Sequence, residues 1–309
     1  MGKDNSMLST ILKKSLYCDI ILLFIWNLTM LSYRHSFHAG NFADVLKHTV
    51  SVAILNHMLK KDKPFCYLDT HSGCGAYSLS SEQALKTKEF NNGIMRLWGR
   101  KDLPLPVANY LEQVVEFNAQ SQLKHYPGSP SIARQMLRED DRMFLFELHP
   151  NEFTNMRENF SGDRQIKMAK SDGLQGLIAN MPPKERRGYV LIDPSYEIKT
   201  EYQEVVETLI QAVKRFATGT YALWYPVVNR ITIKRMEREL MNSGIKNIQL
   251  FELGIEADSG EMGMTSSGMI VINPPWTLKK EMQASLPFLA KNLAKDDKGF
   301  YRIETLVAE

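Results

Sequence analysis

The run Phe65-Cys66-Tyr67-Leu68-Asp69-Thr70-His71-Ser72-Gly73-Cys74-Gly75 joins a short apolar segment to an acid and then to a Gly-x-Gly turn. Open α/β sheets bind ligands beyond the carboxyl ends of their strands, where glycines let the backbone come close and an acid can meet a ribose. A Gly-x-Gly alone also closes many ordinary strand-helix turns. Its weight here comes from the order of the segments around it.

Upstream, Asn41 is placed to cap a helix running to about residue 61, with Phe42, Val45, Leu46, Ala53, Ile54 and Met58 as its apolar stripe. Pro64 ends that element, and 65–69 reads as the first buried strand. Downstream, short apolar runs recur at 143–148, 166–169, 189–192, 221–225, 248–253 and 269–272. Helix-period segments, among them 202–216 and 231–241, separate most of them. Seven strands alternating with helices predict an α/β, Rossmann-like, doubly wound and mostly parallel sheet. The last two strands are separated by 254–267 without a helical segment, so an antiparallel last strand is expected. A crossover needs only about a dozen residues, yet 76–142 lies between the first two strands. Within it 107–119 looks helical, Leu103-Pro104-Leu105-Pro106 breaks the chain, and Tyr126-Pro127-Gly128-Ser129-Pro130 forms a tight loop. A small inserted helical subdomain is the expectation.

The strand 189–192 runs into Asp193-Pro194-Ser195-Tyr196. An acid, a proline and an aromatic at the end of a buried strand can hold a planar amino group while a methyl is delivered to it, although Asp-Pro also makes a plain turn. Acids recur at the other strand ends. Asp69 closes the first, with Gly73 in its turn. Glu147 closes the second, where a carboxylate can accept both ribose hydroxyls. Asp172-Gly173 closes the third, where an acid and its neighbouring amide can read an adenine edge. Each acid alone is an unremarkable solvated residue, but four at successive strand ends form a pattern. Asn273-Pro274-Pro275-Trp276 competes with Asp193 to Tyr196 on composition. It follows the seventh strand, far from the glycine loop, and reads as a terminating turn.

The chain has 309 residues, 44 % hydrophobic and 24 % charged, the make-up of a globular protein with a full core. A net charge of +3 carries no basic tail, so any nucleic-acid site is a local patch. Cys18, Cys66 and Cys74 are odd in number and lack Cys-x-x-Cys spacing, which suggests neither a disulfide framework nor a zinc site and points to a reducing cytoplasm. His35-x-x-His38 with His48 is a conceivable metal set, but no further cysteine or clustered carboxylate completes it. Residues 1–29 stand apart. Lys13-Lys14 followed by Ile20-Ile21-Leu22-Leu23-Phe24-Ile25-Trp26 mimics a signal peptide but lacks a small-x-small cleavage site and is too short for the roughly 20 residues of a membrane span. It reads as an extension outside the fold, with a membrane-associated leader as the alternative, and the domain proper as 30–309.

From Met30 to near Thr277 the chain resembles the 23S ribosomal RNA adenine-N6 methyltransferases of the RlmJ type, a family also linked to catabolism of external DNA. The resemblance is carried by the residues above and by Tyr33-Arg34-His35-Ser36-Phe37-His38-Ala39-Gly40-Asn41 with Asp44-Val45-Leu46-Lys47-His48. It implies S-adenosylmethionine contacts at Lys47, His48, His71, Ser129, Glu147, Asp172 and Gly173, a catalytic Asp193, and a substrate contact at Tyr33. The chain departs from the family at Ser195, where a second proline is usual; its loss loosens the loop without removing an acceptor. Spacing agrees in part: Asp44, Lys47 and His48 share a helical face, so a cation and an imidazole can reach a cofactor carboxylate.

These residues predict a reaction. Asp193 and the carbonyl of Pro194 would accept the two N–H bonds of an adenine amino group, and Tyr196 would stack on the base. The expected partner is 23S ribosomal RNA, protein-free or early in assembly, acted on by a monomer with no metal and no membrane. DNA adenine methylation in the same pocket, and a nucleic-acid-binding protein without chemistry, are the alternatives.

Overall fold

The computed structural model describes residues 34–258 and 263–309. The extension 1–29 and Tyr33 therefore lie outside the described residues. Helix α1 spans Phe42–Leu59, and Asn41 caps it by accepting the Asp44 amide at 3.0 Å, which satisfies one of the helix's orphan donors.

The strands in chain order are β1 (Cys66–Asp69), β2 (Ala76–Ser78), β3 (His125–Pro127), β4 (Arg142–Phe146), β5 (Ile166–Ala169), β6 (Gly188–Ile192), β7 (Thr220–Val227), β8 (Ile248–Gly254), β9 (Ser266–Ile272) and β10 (Phe300–Val307). Between them lie α2 (Glu82–Thr87), α3 (Leu105–Phe117), α4 (Ser129–Met136), α5 (Pro150–Asn159), α6 (Gly173–Asn180), α7 (Glu201–Arg215), α8 (Arg230–Asn242) and α9 (Leu278–Leu293). The main sheet runs β10-β8-β9-β7-β6-β1-β4-β5. It has eight strands rather than the seven read from sequence. The extra strand, β10, pairs antiparallel with β8 at the sheet edge and leaves most of its own residues partly or fully exposed. An edge strand with polar alternation lacks the continuous apolar run that marks the buried strands. The expected antiparallel pairing of β8 with β9 is present, and β9 also runs antiparallel to β7.

Successive residues of the central strands are buried on opposite faces, as the two-residue period requires. Tyr67, Tyr189, Leu191, Ala222 and Val271 join the core under α1, α3 and α9. Leu68, Val190, Ile192, Leu223 and Ile270 join the other, under α6, α7 and α8. Both faces are covered, which is why these strands read as unbroken apolar runs. Truncating one such residue, such as Leu191→Ala, costs roughly 2–5 kcal/mol.

The segment 76–142 contains α2, α3 and α4 and also the small antiparallel pair β2–β3. Val107, Tyr110, Leu111 and Val114 of α3 pack into the same core as α1. Strand β1 pairs in parallel with both β4 and β6. The chain therefore departs from β1 in two directions, and the carboxyl edge between β1 and β6 is the switch point where such sheets bind ligands.

Candidate active site

Four acids stand along that edge. Asp69 ends β1, Glu147 follows β4, Asp172 caps α6 after β5, and Asp193 follows β6. Their partners come from distant parts of the chain. Asp69 Oδ2 accepts the hydroxyls of Tyr67 at 2.8 Å and Ser129 at 2.6 Å, and its Oδ1 accepts the His71 amide at 3.2 Å. Burial pushes its carboxyl up to about 6, against the pull of those donors and with a push from Asp193. Glu147 accepts the Gly73 amide at 2.8 Å and the His149 amide at 2.7 Å. Burial lifts it to about 7 despite both amides. A carboxylate offers about four acceptor positions, so two remain for hydroxyl groups.

Two glycines shape this edge. Gly73 has φ +58°, a left-handed conformation that side chains other than glycine rarely adopt, and a Cβ there would lie 2.1 Å from the Tyr77 hydroxyl. At Gly173 a Cβ would fall 1.8 Å from the carbonyl of Thr70, so only glycine lets α6 start against the end of β1. Asp172 Oδ1 accepts the amides of Leu174 at 2.8 Å and Gln175 at 3.1 Å, which caps α6. His71 bonds its own neighbour, Thr70 Oγ1, at 2.7 Å, and burial takes its imidazole down to about 4, with Asp172 opposing.

Lys47 is held at the centre. Its Nζ lies 2.6 Å from Asp193 Oδ2 and 2.9 Å from Asp44 Oδ1, with 4 % of its side chain exposed. Burial alone would lower the ammonium's pKa, but the two carboxylates hold it above its ordinary range. Asp44 is itself fastened by His35 Nε2 at 2.9 Å and by the Gly40 amide at 2.8 Å. Burial raises Asp193, and Lys47 and His35 offset part of that rise. Asp193 Oδ1 makes no hydrogen bond among the described residues, and 13 % of its side chain is exposed. One oxygen is anchored while the other is available.

After Pro194 and Ser195 the chain turns at Tyr196, φ +54°, an outlier for a bulky residue of the sort that clusters at functional sites. The Tyr196 hydroxyl donates to the Trp224 carbonyl at 2.7 Å, and its ring lies 4.2 Å from that of Tyr202. One face of Tyr196 is thus already covered. The Trp224 ring stands 5.9 Å from Lys47 Nζ, and its Nε1 donates to Ser267 Oγ at 2.7 Å.

The structure brings Lys47 to Asp193, Ser129 to Asp69 and Gly73 to Glu147. His48 joins none of these: its Nδ1 is 2.7 Å from the Tyr126 hydroxyl, and its ring is fully buried. Burial, reinforced by Lys47, takes its imidazole down to about 3, so it is neutral at physiological pH. The bonds to Trp224 and Tyr126 were invisible in sequence because nothing local points to them. Only Asp44 with Lys47, three apart on a helix, left a signal. The three histidines weighed as a metal set have separate partners, Asp44 for His35, Glu89 for His38 and Tyr126 for His48. No group of three or more metal-ligating side chains occurs among the described residues.

Asn273 to Trp276 lies at the other end of the sheet. Strand β9 is antiparallel, so Ile272 pairs with Tyr221 near the start of β7. Asn273, at φ +49°, donates its side-chain amide to the carbonyls of Ala217 and Gly219, both at 2.8 Å, and closes a turn.

A protein-family model described as "Ribosomal RNA large subunit methyltransferase D, RlmJ" matches residues 62–307. Two ribosomal RNA large subunit methyltransferases J are similar along nearly the whole chain. The one from Escherichia coli (strain K12) is 52 % identical over 280 residues, 91 % of this chain and 100 % of that protein. The one from Haemophilus influenzae is 50 % identical over 281 residues, again 91 % and 100 %. A crystal structure of a protein from Legionella pneumophila (strain Philadelphia 1) superposes with a TM-score of 0.80 at 38 % identity, covering 87 % of this chain and 98 % of that one.

Proposed function

The chain belongs to the RlmJ family of ribosomal RNA large subunit methyltransferases, and from that premise we propose that it methylates N6 of an adenosine in 23S ribosomal RNA, working as a monomer in the cytoplasm. S-adenosylmethionine is the methyl donor; when bound, it supplies an electrophilic methyl group on a sulfonium.

The residues present fit that donor. Its cationic sulfonium and amino group suit an edge lined by Asp69, Glu147, Asp172 and Asp193. Glu147 has the acceptor positions for a ribose diol, Asp172 and the start of α6 would take the adenine edge, and Ser129, His71, Lys47 and His48 would frame the remainder. Tyr33 would meet the RNA, but lies outside the described residues.

The observation that carries the reading is the state of Asp193, with Oδ2 anchored 2.6 Å from Lys47 Nζ and Oδ1 without a hydrogen bond among the described residues. An exocyclic adenine nitrogen is a poor nucleophile because its lone pair is delocalised into the ring. With one N–H held by Asp193 Oδ1 and the other by the Pro194 carbonyl, the nitrogen is drawn towards tetrahedral geometry and its lone pair is aimed. The carboxylate also stabilises positive charge developing on nitrogen in a water-poor site. Lys47 favours the ionised form of Asp193 against burial and holds the side chain by an ion pair. Tyr196, with one face against Tyr202, offers the other to the base, a contact worth ~1–3 kcal/mol. The target must be unpaired or flipped to enter.

The test is to map N6-methyladenosine in ribosomal RNA from a strain lacking this gene. One large-subunit adenosine should lose its mark and regain it on complementation. An unchanged ribosomal map with altered adenine methylation of DNA would favour the DNA substrate instead.

A further inference from the structure

His48 belongs to a chain of three buried groups. Its Nδ1 is 2.7 Å from the Tyr126 hydroxyl, which is 2.9 Å from the Tyr110 hydroxyl. All three residues are fully buried. Tyr110 lies on α3 and Tyr126 on β3, both in the segment 76–142, and the His48 and Tyr126 rings stack at 5.7 Å. At the end of this chain His48 Nε2 is buried without a hydrogen-bond partner. A buried polar group in that condition calls for an explanation, and a ligand is one.

The direction of the protons follows from counting donors. If Tyr110 donates to Tyr126 and Tyr126 donates to His48 Nδ1, the imidazole carries its hydrogen on Nε2. If the order is reversed, His48 donates from Nδ1 and the last hydroxyl, on Tyr110, has no acceptor among the described residues, since its one hydrogen bond is to Tyr126. Each order leaves one orphan donor. Only the first leaves it on His48 Nε2, the atom that is buried without a partner. Tyr126 also ties this chain to the cofactor edge, because Gly128 and Ser129 follow it after Pro127: the Gly128 amide donates to the Gly75 carbonyl at 2.8 Å and Ser129 reaches Asp69.

We propose that Tyr126 and Tyr110 are positioning residues that hold His48 in its Nε2–H tautomer, so that it donates a hydrogen bond to the carboxylate of the donor's amino-acid end. The inference rests on S-adenosylmethionine being the ligand. It gives the segment 76–142 a part in reading the donor from the end opposite the adenine, through side chains that never touch it.

The test compares S-adenosylmethionine with its decarboxylated form, by calorimetry on the full chain. The wild type should prefer the carboxylated ligand. Tyr126→Phe should weaken that ligand by about tenfold, the scale for losing an oriented hydrogen bond to a charged group, and leave the decarboxylated one within about twofold. Tyr110→Phe, milder for packing, should move affinities in the same direction by less. Nitrogen-15 spectra of the histidines should show His48 protonated on Nε2 in the wild type. An equal loss for both ligands, an unchanged preference in both variants, or an Nδ1–H tautomer for His48 would overturn the proposal. Failure of the wild type to bind either ligand would overturn the donor assignment itself.

Discussion

Lys47 contacts two carboxylates, so its loss should act on both. In Lys47→Met, Asp44 and Asp193 remain buried with their shared cation gone, and Asp193 rises further because Lys47 no longer offsets burial. Turnover should fall by at least about tenfold and its acid limb should move to higher pH; a pH-rate profile that keeps its shape would remove Lys47 from the mechanism. Glu147 gives a second test. Its carboxyl is lifted to about 7 in the free protein, and accepting two ribose hydroxyls favours the ionised form. Donor affinity should therefore be full above pH 7 and weaken as pH falls through it, by up to tenfold per unit. Glu147→Gln should flatten that dependence, and calorimetry at pH 6 and pH 8 decides it. The acids themselves were legible because each closes an apolar run. The Lys47–Asp193 bond was not, since 146 positions separate the pair and no local pattern records a contact between a helix and a strand end that far apart.

Strand β10 closes the sheet with a charged seam. Arg302 bonds Glu237 at 2.9 Å and the fully buried Glu252 at 3.2 Å, while Arg230 holds Glu252 at 2.7 Å. Arg302→Ala leaves Glu252 with one cation instead of two. The expected loss is roughly 1–3 kcal/mol, below the 3–5 of a wholly unpaired buried charge. Chemical denaturation should show that loss with donor affinity unchanged, and a stability equal to wild type would show the seam to be idle. In the loop after β6, Ser195→Pro should raise turnover or leave it unchanged, because it stiffens the approach to Tyr196 without removing an acceptor; a large fall in initial rate would contradict this. At this scale the buried strands announced themselves through unbroken apolar runs and α1 through its Asn41 cap. Strand β10 was missed because Phe300, Ile303 and Val307 are interleaved with Arg302 and Glu304, an edge pattern that resembles an exposed loop. The pair β2–β3 was missed because three-residue strands are too short to show a period.

Across the whole molecule, two faces of helices bury one sheet, and the acids at its carboxyl edge converge from strands that the switch point at β1 sets side by side. A net charge of +3 is small for strong nonspecific binding to duplexes, so an RNA with a splayed adenosine should be methylated faster than duplex DNA at one salt concentration. Matched oligonucleotides compared by initial rate test this, and a clear preference for duplex DNA would redirect the substrate assignment. The account as a whole stands on Asp193 as the acceptor of the target amino group. The decisive measurement is transfer of a labelled methyl group from S-adenosylmethionine to protein-free 23S ribosomal RNA by the wild type and by Asp193→Ala, with nucleosides separated after digestion. The wild type should place the label in N6-methyladenosine, and Asp193→Ala should place none while binding the donor within a few-fold of wild type. Label recovered in a different nucleoside, or near-normal transfer by Asp193→Ala, would contradict it.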